Sequence, residues 1–396
     1  MIRNNNISQK EDFLIKDRIG IMPIGALSVA FVSYIQGVGT FIESGKTHYK
    51  IGDKLKIFLH NEIKEIVLTE ENYTDNIMSL AINGRLPEII LFSPPNHRLI
   101  SVLDEVIDMI GEILKLRNIN CVESNIDKYI PKFVMLSNGI YYDDVMSYLT
   151  KNFENTDENI REQIKGNFVR ATTHQTGTRM ESDIGYVFKP GTKGGITITG
   201  GSKESRERVI SLFKKYDYPV SEMEGEPVKR IEFDKAVINL SANAVQLSLL
   251  FGDDGKIRDL TMGDLVSDRK MRQLCKRIIY TTVSIGVKSG IYKKRKDISQ
   301  KQFIDTICQE EWKKIEEKSK IDNVHIVSSI ATVIERYERY NRQNIAEGKP
   351  LRLPPLEENI INYLLKLSKE NNLDEEKVII EELRDSILKT CGKVWC

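Results

Sequence analysis

The sequence predicts an α/β protein of two domains, a front half built on a parallel sheet with extra strands at its edge and a back half that is all helix. Three observations predict it. Short apolar runs alternate with helical patterns as far as Pro219-Val220. From Glu232 to Leu388 the apolar residues keep helical spacing alone. The chain has 396 residues, more than one hydrophobic core normally organises. The change of character sets the boundary near residue 228, giving domains 1–227 and 228–396.

The elements follow in order. Residues 1–15 are mostly polar and read as an extension. Arg18 to Met22 is a short apolar strand, and Pro23 to Tyr34 a helix whose early proline sits where a missing N–H costs nothing. Residues 37–53 are glycine-rich and polar and read as an insertion. Leu55–Leu59 reads as the second strand. Ile89–Phe92 is a buried strand stopped by Ser93-Pro94-Pro95. Leu99 to Leu116 carries Leu99, Val102, Val106, Met109, Ile110 and Ile113 at helical spacing. Phe133–Leu136 is another buried strand, ended by Ser137-Asn138-Gly139. Residues 154–165 form an acidic, exposed helix. Tyr186–Phe188 and Ile196–Thr199 read as strands added to the sheet edge, before a helix from Ser205 to Tyr216.

Composition removes several function classes. The net charge is +1, with no clustered basic surface for nucleic acid or an anionic membrane. The one basic run, Lys293-Lys294-Arg295-Lys296, meets Asp297 at once and reads as a solvated loop. Residues 19–42 hold no charge and are long enough to span a bilayer. Pro23, Gly20, Gly25, Gly37, Gly39 and Gln36 interrupt them, so strand, turn and helix are expected and no membrane span. Five scattered cysteines and no signal peptide fit a cytoplasmic protein. Cys391 and Cys396 read as thiols on a loose tail and not as a metal site.

The run Gly20-Ile21-Met22-Pro23-Ile24-Gly25 stands where a dinucleotide-binding turn belongs. In a Gly-x-Gly-x-x-Gly turn the first glycine bends the chain, the second admits the pyrophosphate and the third lets helix and strand approach. Here Met22 fills the middle position, where its side chain is expected to crowd the pyrophosphate, and Pro23 removes an N–H. Gly20, Met22, Ile24 and Gly25 are the candidate cofactor contacts. The second strand ends at Leu59-His60-Asn61 with no acid at its tip, and His60, Asn61 or Lys64 suits a 2′-phosphate, a faint preference for NADP.

In the back half, Lys235, Asn239 and Asn243 recur every fourth residue and fall on one helical face. Their neighbours, Ala236 to Val245, are largely apolar, so the amine and the two amides need partners. A polar ligand held between the two halves would supply them; so would backbone groups at a domain interface.

Several segments in order resemble the ketopantoate reductase family. They are the strand Phe133–Leu136 with Ser137-Asn138-Gly139-Ile140, the segments Val169–Thr173 and Gly191–Ile196, the Lys-x-x-x-Asn-x-x-x-Asn helix from Lys235 to Asn243, and His325-Ile326-Val327-Ser328-Ser329. The resemblance implies a dinucleotide-binding sheet domain followed by a helical domain of the 6-phosphogluconate dehydrogenase type. It implies hydride transfer from NADPH to a small 2-keto acid. Lys235 would be the general acid, Asn239, Asn243 and Ser328 would hold substrate, and Asn138 would contact the cofactor. A homodimer is implied by fold analogy alone. Three departures weaken the match. Met22 replaces a glycine, Ser93-Pro94-Pro95-Asn96 stands where the family has a lysine, and Tyr340 falls where the family's glutamate is spaced from Ser328. Two alternatives therefore stay open: a cofactor-free relative that binds a small ligand or a protein partner, and another dehydrogenase of the opine or 6-phosphogluconate type.

Overall fold

The computed structural model describes residues 14–35, 37–44, 49–117, 125–182, 185–191, 193–223, 225, 227–249, 258, 260–293, 297–321 and 341–392. The chain divides into two compact units, one of Met1–Ser137 with Tyr141–Val228, the other of Asn138–Ile140 with Lys229–Cys396.

The strands of the first unit are β1 (Leu14–Met22), β2 (Val38–Ile42), β3 (Lys54–Leu59), β4 (Glu62–Val67), β5 (Tyr73–Thr74) and β6 (Leu86–Phe92). They continue with β7 (Lys132–Met135), β8 (Phe168–Thr173), β9 (Gly177–Ser182), β10 (Gly185–Pro190), β11 (Ile196–Thr199) and β12 (Val220–Glu222). Eight of them make one sheet in the order β12-β11-β8-β7-β6-β1-β2-β5. It is parallel from β5 through β8; β11 then joins β8 antiparallel, and β12 lies parallel to β11. The central strands are apolar on both faces because helices cover both, which is why they appear in sequence as unbroken apolar runs.

The helices of the first unit are α1 (Ala26–Val32), α2 (Ile77–Ile82), α3 (Leu99–Leu116), α4 (Tyr142–Asn152), α5 (Glu158–Gly166) and α6 (Lys203–Lys215). One face of the sheet packs on α3, whose Val102, Val106, Met109, Ile110 and Ile113 are fully buried. On the same side Phe133 stacks on Phe168 at 4.8 Å and meets Phe92 edge-on at 6.2 Å. Such pairs add about 0.5–1.5 kcal/mol each beyond the area they bury. The other core gathers Ile19, Ile21, Leu91 and Val134 with α1 (Ala26–Val32) and with Val209, Leu212 and Phe213 of the helix Lys203–Lys215.

The second strand of the parallel sheet is β2, inside the segment that its composition marks as an insertion. Glycine belongs there for a local reason: a Cβ on Gly37 would stand 2.1 Å from the Tyr216 ring. Leu55–Leu59, expected as the second strand, lies instead in a separate four-stranded sheet of order β4-β3-β10-β9. Tyr186–Phe188 is in that small sheet too and not at the edge of the large one. Leu55 and Ile57 are buried while Lys54 and Lys56 are not, the alternation of a strand covered on one face only.

The second unit is helical among its described residues: α7 (Val228–Ile238), a π-helical turn (Asn239–Ala244), α8 (Val245–Ser248), α9 (Met262–Ser267), α10 (Arg269–Lys288), α11 (Gln300–Ile321), and helices Pro355–Glu370 and Asp374–Gly392. Its core joins Phe233, Val237 and Leu240 to Ile278, Val283 and Ile285 of α10 and to Ile360, Leu364, Ile380 and Ile387 of the last two helices. Phe233 and Tyr292 meet edge-on at 5.7 Å over Gly286, where a Cβ would come within 2.6 Å of either ring. Among the described residues no helix is long and apolar enough to cross a membrane, and no group of three metal-ligating side chains occurs. The uncharged stretch 19–42 contains the last four residues of β1, the turn, α1 and β2.

Candidate functional site

In open parallel sheets ligands bind at the carboxyl ends of the strands, where successive connections leave in opposite directions. That point lies between β1 and β6. The chain goes from β1 to β2 on one side and returns to β6 on the other.

β1 continues to Met22, so the turn is Pro23-Ile24-Gly25 and α1 begins at Ala26. Gly20 is not the turn residue: it pairs with Thr40 and Ile90 inside the sheet, and a Cβ there would reach Pro87 at 2.7 Å. Nor does Met22 crowd the turn, because its side chain is fully buried in the core that holds Ile42, Phe92 and Val102. Ile24 belongs to the opposite core. Gly25 stays at the helix start in an extended conformation. Its N–H donates to Ser28 Oγ at 3.0 Å, while that hydroxyl donates to the Pro23 carbonyl at 2.7 Å. The turn is thus braced from within.

The acid missing from the end of Leu55–Leu59 is present at the end of the true second strand. Glu43 follows β2 and is 3% exposed. Its Oε2 accepts from Tyr49 N at 3.2 Å and from the Tyr73 hydroxyl at 3.0 Å. Burial, and then this carboxylate, push the Tyr73 phenol well above its ordinary range. His60 and Asn61 form the tip of the β3–β4 hairpin, both with positive φ (52° and 65°), as a two-residue hairpin turn demands. Together with Lys64 on β4 they belong to the small sheet and follow no strand of the parallel one.

After β6, Ser93 N donates to the Met22 carbonyl at 2.8 Å, extending the β1–β6 pairing past the strand. Asn138 is exposed beyond β7. It belongs with Gly139 and Ile140 to the second unit, where Asn359 brackets Ile140 by accepting from its N–H at 2.9 Å and donating to its carbonyl at 3.2 Å.

In the second unit Lys235 is half-buried on α7, Asn239 is 8% exposed at the start of the π turn, and Asn243 is half-buried near its end. In a regular α-helix each four-residue step overshoots a full turn by about 40°, so two steps would splay the ends of the trio. The wider π turn has more than four residues per turn, so the step from Asn239 to Asn243 falls short and cancels much of that drift. The carbonyl of Ser241 within the turn accepts from the buried Cys275 thiol at 2.9 Å, whose pKa burial pushes up to about 12. Arg230 and Asp234 pair along α7 at 3.0 Å. Asp234 also accepts from the Tyr292 hydroxyl at 2.8 Å, which fixes the rotation of α7 against the end of α10. Asn239 Nδ2 is buried and, among the described residues, has no hydrogen-bond partner. Ser328, Ser329 and Tyr340 lie outside the described residues.

No protein-family model and no curated protein matches the sequence. Solved structures do. A probable 2-dehydropantoate 2-reductase from Bacillus subtilis aligns over 94% of this chain and 99% of its own, at 14% identity and a TM-score of 0.56. A 2-dehydropantoate 2-reductase from Geobacter metallireducens aligns over 94% and 99%, at 13% identity and a TM-score of 0.56. The chain has the ketopantoate reductase fold. A D-mandelate dehydrogenase solved with NADH and anilino(oxo)acetate shares it, at 12% identity, 93% and 99% coverage and a TM-score of 0.58.

Glu43 and the residues after β6 are what sequence reasoning missed. Phe41-Ile42-Glu43 was a usable signal, an apolar pair ending in an acid a little under twenty residues after Gly25. Nothing in the sequence signals which polar atoms fold without partners.

Proposed function

We propose that this chain is a reductase of the ketopantoate reductase type, moving hydride from a nicotinamide dinucleotide to a small 2-keto acid, with Lys235 as general acid. The observation that carries the reading is the Nδ2 of buried Asn239, without a hydrogen-bond partner among the described residues, on the same helix as Lys235 and Asn243. A buried amide donor left unpaired costs about 1–3 kcal/mol, a cost that a bound carboxylate or hydroxyl removes.

A bound nicotinamide would supply hydride to the carbonyl carbon. Lys235 Nζ would donate its proton to the carbonyl oxygen as negative charge gathers there, leaving a neutral amine and an alcohol. Positioned proton donors of this kind contribute about 10²–10⁴ in rate. Asn239 and Asn243 orient the 2-keto acid through its carboxylate or a hydroxyl, and Ser328 assists by family resemblance. On the sheet unit, Gly25 and the start of α1 lie where the pyrophosphate belongs. Glu43 stands where the adenosine ribose belongs. A carboxylate there pairs with ribose hydroxyls and repels a 2′-phosphate, which reverses the preference drawn from His60, Asn61 and Lys64 and favours NADH.

One observation favours the cofactor-free alternative: Pro23 has no N–H, and that of Gly25 is already bonded to Ser28. A titration decides. The purified protein is expected to bind NADH saturably, and NADPH more weakly, as read from nicotinamide fluorescence. Lys235→Ala is expected to lower kcat by about 10²–10⁴ while the NADH Kd stays unchanged. No binding of either dinucleotide to folded protein discards the reductase, and equal loss of turnover and affinity discards the acid role of Lys235.

A further inference from the structure

The connection from β7 to β8 holds a cavity of about 490 Å³ between α4 and α5. Small-molecule sites run from about 300 to 1,000 Å³. α4 contributes Met146, Ser147, Thr150 and Lys151, α5 contributes Arg161 and Lys165, and Glu154 comes from the turn between them. α4 follows the carboxyl end of β7, and α5 leads into β8, which lies parallel to β7. The last turns of α4 and the whole of α5 therefore stand toward the amino ends of the strands, opposite the end that carries Gly25 and Glu43.

Arg161 is the residue whose bonding the fold leaves incomplete. Its side chain is only 20% exposed. Its Nε is buried and has no hydrogen-bond partner among the described residues. The guanidinium meets Glu158 Oε1 at 4.0 Å, beyond hydrogen-bond reach. A guanidinium carries five N–H donors and keeps its charge in a folded protein. Held mostly away from water without acceptors, it destabilises the empty protein, and an anion beside it removes that penalty. Lys165 is 24% exposed and bonds Glu162 at 2.8 Å, so its ammonium keeps further donors for a second acceptor. Lys151 adds a third cation and Ser147 a hydroxyl, while Glu154 is the one carboxylate of the lining. Glu158 and Glu162 are exposed to solvent.

The fork of Arg161 suits the paired oxygens of a phosphate or a carboxylate. The rest of the lining is not polar throughout. Met146 is half-buried beside the lysine stems, which present methylenes. The ligand that matches has an acidic head and an apolar body.

We propose that the α4–α5 cavity is a second ligand site, for a small organic anion whose phosphate or carboxylate is held by Arg161 and Lys165 and whose body rests on Met146. It is separate from the dinucleotide site and does not depend on the reductase reading.

The test is calorimetric titration of the full-length protein at low salt, where charge attraction is least screened, with phenyl phosphate, benzoate and inorganic phosphate as probes. Phenyl phosphate is expected to bind saturably, and more tightly than inorganic phosphate, which has no apolar body. Benzoate binding as tightly as phenyl phosphate assigns a carboxylate ligand, and weaker benzoate binding assigns a phosphate; either supports the site. Arg161→Gln and Lys165→Gln should each weaken phenyl phosphate about tenfold, the loss of a charge-assisted hydrogen bond. Without ligand Arg161→Gln should melt at or above the parent temperature, because an unsatisfied cation has been removed. Should Arg161→Gln fail to fold, Lys165→Gln decides. Excess NADH should leave phenyl phosphate affinity unchanged. Absence of saturable binding by all three probes overturns the proposal, as does parent-like affinity in every variant that folds. Displacement of phenyl phosphate by NADH also overturns it, since the anion would then occupy the dinucleotide site.

Discussion

Met22 ends β1 with its side chain fully buried, sharing a core with Ile42, Phe92 and Val102. It is a packing residue, and its replacement is a stability experiment. Met22→Gly should lower the unfolding free energy by about 3 kcal/mol, the cost of emptying a close-packed site, and should not tighten NADH binding. Urea midpoints at constant m-value check the first part, and fluorescence titration the second. Tighter binding would mean that the side chain does reach the ligand. Single residues were legible in the sequence where spacing alone defines their geometry. The four-residue interval of Lys235, Asn239 and Asn243 singled the trio out, but it is the π turn, which the sequence does not announce, that limits the drift between them, and of the three only Asn239 is buried. Glu43 was not legible, because its meaning depends on which strand it follows.

Elements were legible in proportion to how strongly burial patterns them. Leu99–Leu116 was readable to the residue, since one face is apolar throughout and Arg117 closes it. β2 was hidden because two of its five residues, Gly39 and Thr40, are small or polar, and its burial comes from neighbours on both sides and not from its own composition. The π turn has no sequence signature in this chain that we can name. Among the helices, Pro355–Glu370 carries a testable charge effect. Glu357, in its first turn, is buried with no cationic partner among the described residues, and burial raises its pKa from 4.5 to about 7. The folded state therefore holds this proton more tightly than the unfolded chain does. The stabilisation is complete below pH 4.5, declines as pH rises, and is gone once pH passes about 7. Over that window the group should cost stability at up to about 1.4 kcal/mol per pH unit. Glu357→Gln should flatten the decline between pH 5 and 7 in urea unfolding, and an unchanged slope would show that the carboxyl is solvated.

At the scale of the whole molecule, the two units have separate hydrophobic cores: Phe92, Phe133 and Phe213 belong to the first, Phe233, Ile285 and Ile361 to the second. Their thermal unfolding should resolve into two transitions by calorimetry. NADH at a hundred times its Kd should raise the transition of the sheet unit by the equivalent of about 2.7 kcal/mol. A shift of the helical transition alone would place the dinucleotide on the wrong unit. The sequence sets its boundary near residue 228 because alternation gives way to helical period there. That Asn138–Ile140 groups with the second compact unit has no sequence signal, since three residues carry no periodicity.

The small sheet has a consequence for how the chain assembles. β3 and β4 are joined by a two-residue hairpin and can close within microseconds on their own. β9 and β10 form a second local hairpin. Their union pairs Lys56 with Val187, so it must wait until β6, β7 and β8 have brought two distant stretches of chain together. Amide protection at Leu55 and Ile57 should consequently mature in two steps during refolding, an early partial one and a late completion that follows the β6–β8 protons. The part of the molecule nearest a pre-formed ribbon in sequence would then be among the last to lock.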